Sequence, residues 1–363
     1  MTEKTESKPV RLLSLDAFRG LTIVLMLLVN NMALDTATPA QFMHAKWNDG
    51  VHLADFVFPW FLFCVGVAIP FSADSFKRKG TSVWLYDIRV LRRTVILFVL
   101  GCLLASSAAG KPIFTLGVLH IIALAYFVGA MLYELPLHRR LLVAALLLTA
   151  HWVAIRFLPI PGVGVGVFDE GRNIVHHINH TYLASVGLQG LPTLVPTSAL
   201  VLIGTAIGDL LRSERIEQMR KFMWLMVAGG ALTIGGVLWS LSVGFNKPIW
   251  TSSYILLTAG TGAIVLALFY LLIDTTGWRK WPYALLVFGS NAILVYVLPV
   301  LVKVLILQKM HIDGGPNLQD SFIGLLTAHT SRYIGGWLYT LVYTSVWWAV
   351  LWLLYRKKWF FRV

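Results

Sequence analysis

Charge is scarce in this chain. Charged residues fill only 13% of its 363 positions, about half the share of a soluble globular protein, whereas hydrophobic residues reach 57% and mean hydropathy is +0.73. A soluble globular fold is thereby excluded. The two-residue alternation of membrane strands is missing as well, and the apolar runs are too long for such strands, which excludes a β-barrel. Cysteine is nearly absent: Cys64 and Cys102 both fall inside apolar runs, so neither a disulfide framework nor a cysteine-rich zinc site is indicated. There is no Gly-rich phosphate loop and no Walker motif, which argues against an ATP-driven pump. The first apolar run carries Asp16 and Arg19 and no small-residue cleavage site follows it, so it reads as a retained helix and not a signal peptide. Low-complexity segments and clear internal repeats are also lacking.

What the chain does have is a series of apolar runs of about 16 to 24 residues, the length a helix needs to cross a hydrocarbon core of ~30 Å. Ten are discernible: 15–34, 52–72, 94–109, 113–133, 141–158, 191–211, 221–243, 251–273, 283–306 and 335–355. The expected fold class is an all-α polytopic membrane protein with about ten transmembrane helices. Residues 1–10 read as a cytoplasmic tail and 11–363 as a single transmembrane domain, with a poorly defined outer segment at 307–334. The net charge of +13 suggests nucleic acid at first sight, but its distribution argues otherwise. When the connections are assigned alternately to two sides, 22 of the 30 Lys and Arg residues collect on the side of the N-terminus. The positive-inside rule then places both termini in the cytoplasm, with anionic lipid headgroups as a secondary partner.

One stretch stands out, "HAKWNDGVHLADFVFPWFLF" from His44 to Phe63. On this topology His44, Lys46, Trp47, Asn48 and Asp49 lie on the outer face, and His52 and Asp55 lie at the entrance to the second span. Interface solvation accounts for any one of these polar residues taken singly. Together they carry more weight, because an ionisable group at membrane depth is costly and usually lines a cavity or pairs. The outer end of the first span adds "VNN" with Asn30 and Asn31, so two consecutive spans present polar ends joined by one loop. "HHINH" (His176, His177, His180) has a metal-like i, i+4 spacing, but no acidic residue joins it and no metal site is expected there.

The stretches "LLSLDAFRGLTIVLMLLVNN" and "HAKWNDGVHLADFVFPWFLFCVGVAI" resemble the catalytic domain of the heparan-α-glucosaminide N-acetyltransferase family and its bacterial relatives. "GVLHIIALAYF" (117–127), "LWSLSVGFNKPIWTSSYILLTAG" (238–260) and "GSNAILVYV" (289–297) follow in the family's order. The resemblance therefore runs from Leu12 to about Val297. It implies a bacterial inner-membrane enzyme that moves an acetyl group from acetyl-CoA to an amino sugar, and it implies a homodimer. Matched position by position, the family's active histidine falls on His44, its essential asparagine on Asn30, and the aspartate of its "ADLVFPWF" pattern on Asp55. Candidate substrate contacts are Asn31, Trp47, Asn48, Asn246, Lys247, Ser253, Tyr254 and Asn291. The chain also departs from the pattern. One additional residue lies between Trp47 and Asp55, and His120 with Ile121 stands where members usually carry Gln-Arg.

Such a site suits acyl transfer. A histidine serves as general base toward the acceptor, or takes the acyl group itself as an acetyl-imidazole, and the residues alone leave both routes open. The Asn30 amide can donate to the developing oxyanion, and Asp55 can fix the His44 tautomer. Acetyl-CoA is cytoplasmic, so its phosphates would meet basic residues at the inner mouth. Arg19, Lys77, Arg78, Arg89, Arg92 and Arg93 are the candidates there, and His120 is a further candidate for binding the cofactor. Trp47 and Trp250 are candidates for stacking on a sugar face. The competing function class is an amino-sugar permease in which the same polar residues bind substrate and nothing is acylated.

Overall fold

In the computed structural model, residues 12–80, 82–311 and 314–361 are described; the tail expected at 1–10 lies outside them. The chain folds into thirteen α-helices and one two-stranded hairpin among the described residues. The first five helices are α1 (Leu13–Asn30), α2 (Leu53–Arg78), α3 (Val83–Ala109), α4 (Val118–Leu132) and α5 (Leu137–Phe157). A long connection follows, with strands Pro159–Ile160 and Gly164–Val165 and the short α6 (Ile174–Ile178). Then come α7 (Leu194–Arg212), α8 (Gln218–Ser240) and α9 (Ser252–Phe269), the last continued by a π-helical turn to Thr275. The chain closes with α10 (Tyr283–Ser290), α11 (Ala292–Val302), α12 (Leu318–Ala328) and α13 (Arg332–Arg356).

Each of the ten apolar runs corresponds to a helix or to a broken pair. Among the described residues seven helices are long and apolar enough to cross a membrane, or eight if α10 and α11, bent by 77° at Asn291, form one broken span. The other two runs are α3, whose first half carries Asp87, Arg89, Arg92 and Arg93, and α4, which has only 15 residues. The protein is thus an all-α polytopic membrane protein. The segment 307–334, undefined in the sequence, contains α12, which packs against α13.

Small residues set the packing at the centre. A Cβ on Gly66 of α2 would stand 2.4 Å from the Val201 carbonyl, and one on Gly204 of α7 would stand 2.7 Å from the Phe63 carbonyl. These two helices therefore touch backbone to backbone, as small residues permit where lipid offers no hydrophobic drive for association. The Gly20–Gly289 pair does the same for α1 and α10. Leu62, Phe63 and Val67 of α2 and Leu200, Val201 and Leu202 of α7 are fully enclosed. In α5 and α8, by contrast, Leu142, Leu146, Trp224, Val227, Ile234 and Leu238 point outward. An apolar exterior on helices whose own backbone bonds are satisfied is what a bilayer solvates.

Polar contacts concentrate at the two ends. At the end away from His44, Asp74 accepts from Arg78 and Arg212 at 2.8 Å each, Lys77 pairs with Glu134 at 3.0 Å, and Arg140 pairs with Asp209. These bonds clamp α2, α5 and α7 together. The other end carries the loops 31–52, 158–193 and 241–251, and the candidate site forms among them.

Candidate active site

Asp55 organises the site. It sits in the first turn of α2, where unpaired backbone N–H groups and the positive end of the helix dipole favour a carboxylate. Its Oδ2 accepts from the backbone N–H of His52 at 3.0 Å, closing the helix N-terminus, and from that of Ala45 at 3.1 Å. Its Oδ1 lies 2.9 Å from His44 Nδ1 and 3.5 Å from Lys247 Nζ. The carboxylate side chain is 2% exposed, whereas the His44 ring is 56% exposed. A buried charge thus holds a histidine that faces open space. Since a carboxylate only accepts, the bond to Asp55 requires the proton to be on Nδ1. The Tyr254 hydroxyl, fully buried, donates to the Asp55 main-chain carbonyl and braces the same turn from α9.

Lys247 completes the cluster from a distant part of the chain. Its Nζ stands 2.9 Å from Nδ1 and 3.3 Å from Nε2 of His44. Burial pushes its amine below the usual lysine range, and the neighbouring Asp55 carboxylate opposes that shift only in part. The loop that carries it is rigidly held. Asn246 donates from Nδ2 to the Trp47 carbonyl at 3.2 Å and accepts from the Ile249 N–H at 3.2 Å, and the Thr251 hydroxyl accepts from the Asn246 N–H at 3.0 Å. The Ile249 carbonyl lies 2.9 Å from His151 Nε2 of α5. Trp250 follows at φ +54°, a left-handed conformation that bulky residues avoid, and such strain persists only where the surroundings enforce it.

His44, Asp55, Lys247 and Asn30 supply the polar wall of a cavity of about 550 Å³; Met26, Phe58, Ile121, Trp250 and Tyr296 are among its apolar walls. Two smaller cavities share Met26 and Tyr296 with it. One, of about 300 Å³, includes Asn30, Asn31 and Lys303, and Lys303 Nζ donates to the Asn30 carbonyl at 3.0 Å. The other, of about 20 Å³, reaches Arg93. The Arg93 guanidinium lies 4.4 Å above the Tyr126 ring, and its Nε is buried with no hydrogen-bond partner.

The remaining sequence candidates lie elsewhere. Asn31 is buried and bonds the Leu27 carbonyl, and Asn48 is exposed outside the cavity. Trp47 donates to the Phe168 carbonyl at 2.8 Å and packs on the Phe168 ring, so its bond and ring serve the loop. Asn246 and Ser253 are buried within the Lys247 loop and its junction with α9. Asn291 sits at the α10–α11 break and ties down the C-terminal segment through Trp359 and Phe361. Arg19 is held by the Gly289 carbonyl and Asp16, Arg89 lies over Phe76, and Arg92 is exposed. His120 is fully buried behind the cavity wall. Its Nδ1 accepts from the Gly117 N–H, and its Nε2 lies 3.3 Å from Cys102 Sγ. In the outer loop the His176 and His180 rings stack at 4.0 Å. Sequence reasoning missed Lys303 and Tyr296. A lysine inside the run 283–306 was a usable signal for the first; nothing distinguishes Tyr296 from a packing aromatic.

Comparison with known proteins bears on this geometry. The family model described as heparan-alpha-glucosaminide N-acetyltransferase, catalytic, matches residues 11–243. That match takes in Asn30, His44 and Asp55 and ends just before Asn246 and Lys247. Human heparan-alpha-glucosaminide N-acetyltransferase is 24% identical over 429 aligned residues, which cover 100% of this chain and 61% of that protein. The mouse protein of the same name is 23% identical over 427 residues, covering 99% and 62%. The chain therefore spans about three-fifths of the length of the curated relatives it matches. A family match over well more than half its residues, which takes in the cavity-lining histidine and aspartate, shows that the chain belongs to the heparan-alpha-glucosaminide N-acetyltransferase catalytic family.

Proposed function

We propose that the protein is a membrane acyltransferase that moves an acetyl group from acetyl-CoA to the amine of a glucosamine-type saccharide, with His44 as the proton acceptor. The carrying observation is the Asp55–His44 bond at the wall of a cavity large enough for a sugar ring and an acyl thioester. His44 Nε2 removes the proton from the attacking amine. Asp55 keeps Nδ1 protonated and offsets the positive charge that then develops on the ring, as buried carboxylates do in other histidine-based sites. The Asn30 amide, at the same cavity, donates to the oxyanion of the tetrahedral state. Direct attack by Nε2 on the thioester, giving an acetyl-imidazole, uses the same geometry.

On this reading the donor enters from the far side of the bundle. Arg93 offers a buried guanidinium Nε–H with no hydrogen-bond partner to an anionic or carbonyl group, and the small cavity it borders shares Met26 and Tyr296 with the main one. On this reading both termini are cytoplasmic, His44 faces the outer side of a bacterial inner membrane, and residues 11–363 act as one unit. A homodimer through the apolar outer faces of the late helices belongs to the same proposal.

One observation favours a second reading, an amino-sugar permease: the 77° break between α10 and α11, a feature of transport folds. A single assay separates the two. Purified protein in proteoliposomes is given labelled acetyl-CoA and glucosamine-type acceptors. Labelled N-acetyl sugar supports the transferase; saccharide uptake without labelled product supports the permease.

A further inference from the structure

Among the described residues, Lys247 is the lysine whose amine touches His44, standing 2.9 Å from Nδ1 and 3.3 Å from Nε2 beside the ring. The other lysines near this end stand apart. Lys46, Lys111 and Lys309 are exposed, and Lys303 is engaged with the Asn30 carbonyl. Lys247 also borders the cavity itself, so a thioester placed for attack by a bound sugar is within the reach of a flexible four-carbon side chain. Its own loop is fixed by Asn246, Thr251 and His151, which leaves the side chain as the moving part.

We infer that Lys247 is an internal acceptor: when no saccharide occupies the cavity, its Nζ takes the acetyl group from the donor thioester, and the acetylated enzyme is switched off. The inference rests on the acyl-transfer reading above. In the step, the neutral amine attacks the thioester carbonyl carbon and the C–N bond forms. The C–S bond breaks, and the departing thiolate takes the proton that His44 Nε2 removed from nitrogen. The product is Nε-acetyl-lysine and the free thiol. Burial favours the required neutral amine, a known route to lysine nucleophiles. Acetylation removes the ionisable amine that faces Asp55 and adds bulk beside the His44 ring at the cavity wall, so both the electrostatics and the acceptor's access to the ring are lost. An acceptor sugar competes with the reaction and protects the enzyme.

The test uses the purified full chain with isotope-labelled acetyl-CoA, with and without glucosamine, followed by peptide mass spectrometry and an assay of remaining transfer. Wild type is compared with Lys247→Arg, His44→Ala and, as a milder ring replacement, His44→Gln. The expected result is label at Lys247 accumulating about tenfold or more faster than at Lys46 or Lys111, as proximity to the reacting carbonyl requires. It is slowed by glucosamine, lost in both His44 variants, and matched by falling activity. Equal labelling of the three lysines, or labelling of Lys247 that survives both His44 changes, overturns the inference. So does transfer to glucosamine with Lys247 unlabelled, which leaves the acyltransferase reading standing. Absence of label from both sugar and lysine overturns that reading and this inference with it.

Discussion

His44 Nδ1 and Asp55 Oδ1 lie 2.9 Å apart, joining a loop to the first turn of α2 across eleven positions of sequence. The same carboxylate accepts two backbone N–H groups and faces Lys247, so it serves as helix cap, ring anchor and counter-charge at once. Asp55→Asn keeps the shape and removes the charge. Transfer is expected to fall by about 10²–10⁴-fold, because the amide no longer selects the Nδ1–H tautomer or stabilises the charged ring. Weakening of the cap lowers stability by about 1 kcal/mol. Steady-state kinetics beside a detergent melting curve separates the two effects.

Asn30 lines the cavity, and its carbonyl takes the bond from Lys303. Asn30→Ala removes the amide and leaves the main chain intact. A loss of about 10²–10³-fold in kcat with little change in the acceptor KM is expected of an oxyanion donor. A rise in KM with unchanged kcat would assign Asn30 to ground-state sugar binding instead.

Lys247 gives a pH signature. Burial lowers its pKa in the folded protein, so between that lowered value and the usual 10.5 the unfolded chain holds a proton that the native state has released. Stability contributed at this position therefore rises with pH across that window. The groups that face it are the Asp55 carboxylate and the His44 ring. The melting temperature of wild type relative to Lys247→Met is expected to climb as the pH is raised toward 10.5. A flat or falling difference would contradict the burial of this amine.

Gly66 tests the scaffold. A methyl there would meet the Val201 carbonyl at 2.4 Å, which neither backbone can easily yield. Gly66→Ala is expected to destabilise the protein by about 1–3 kcal/mol through separation of α2 from α7, read as a lower melting temperature in detergent.

Much of this was legible in the sequence, for identifiable reasons. Among the described residues, each of the seven helices long and apolar enough to cross a membrane falls on an apolar run read from the sequence, since length and hydropathy are the properties that a bilayer selects. The break at Asn291 was not legible, because "GSNAILVYV" is continuously apolar on both sides and the 77° turn depends on bonds to the C-terminal segment. His44, Asn30 and Asp55 were found through the family pattern, and all three border one cavity. Trp47, Asn246 and Tyr254 share that pattern but point into the scaffold, and only the fold distinguishes a residue that touches substrate from one that holds the loop. Lys247 stands 203 positions from His44, a contact no spacing rule reaches.

The central claim is that His44 carries the proton or the acyl group in transfer from acetyl-CoA. The most direct measurement is the rate of N-acetyl-glucosamine formation by purified wild type and by His44→Ala, each shown to be folded and to bind acetyl-CoA. The account expects product from wild type and a loss of about 10²-fold or more in the folded variant. Equal rates in the two proteins, or no product from wild type with any saccharide acceptor, would contradict it.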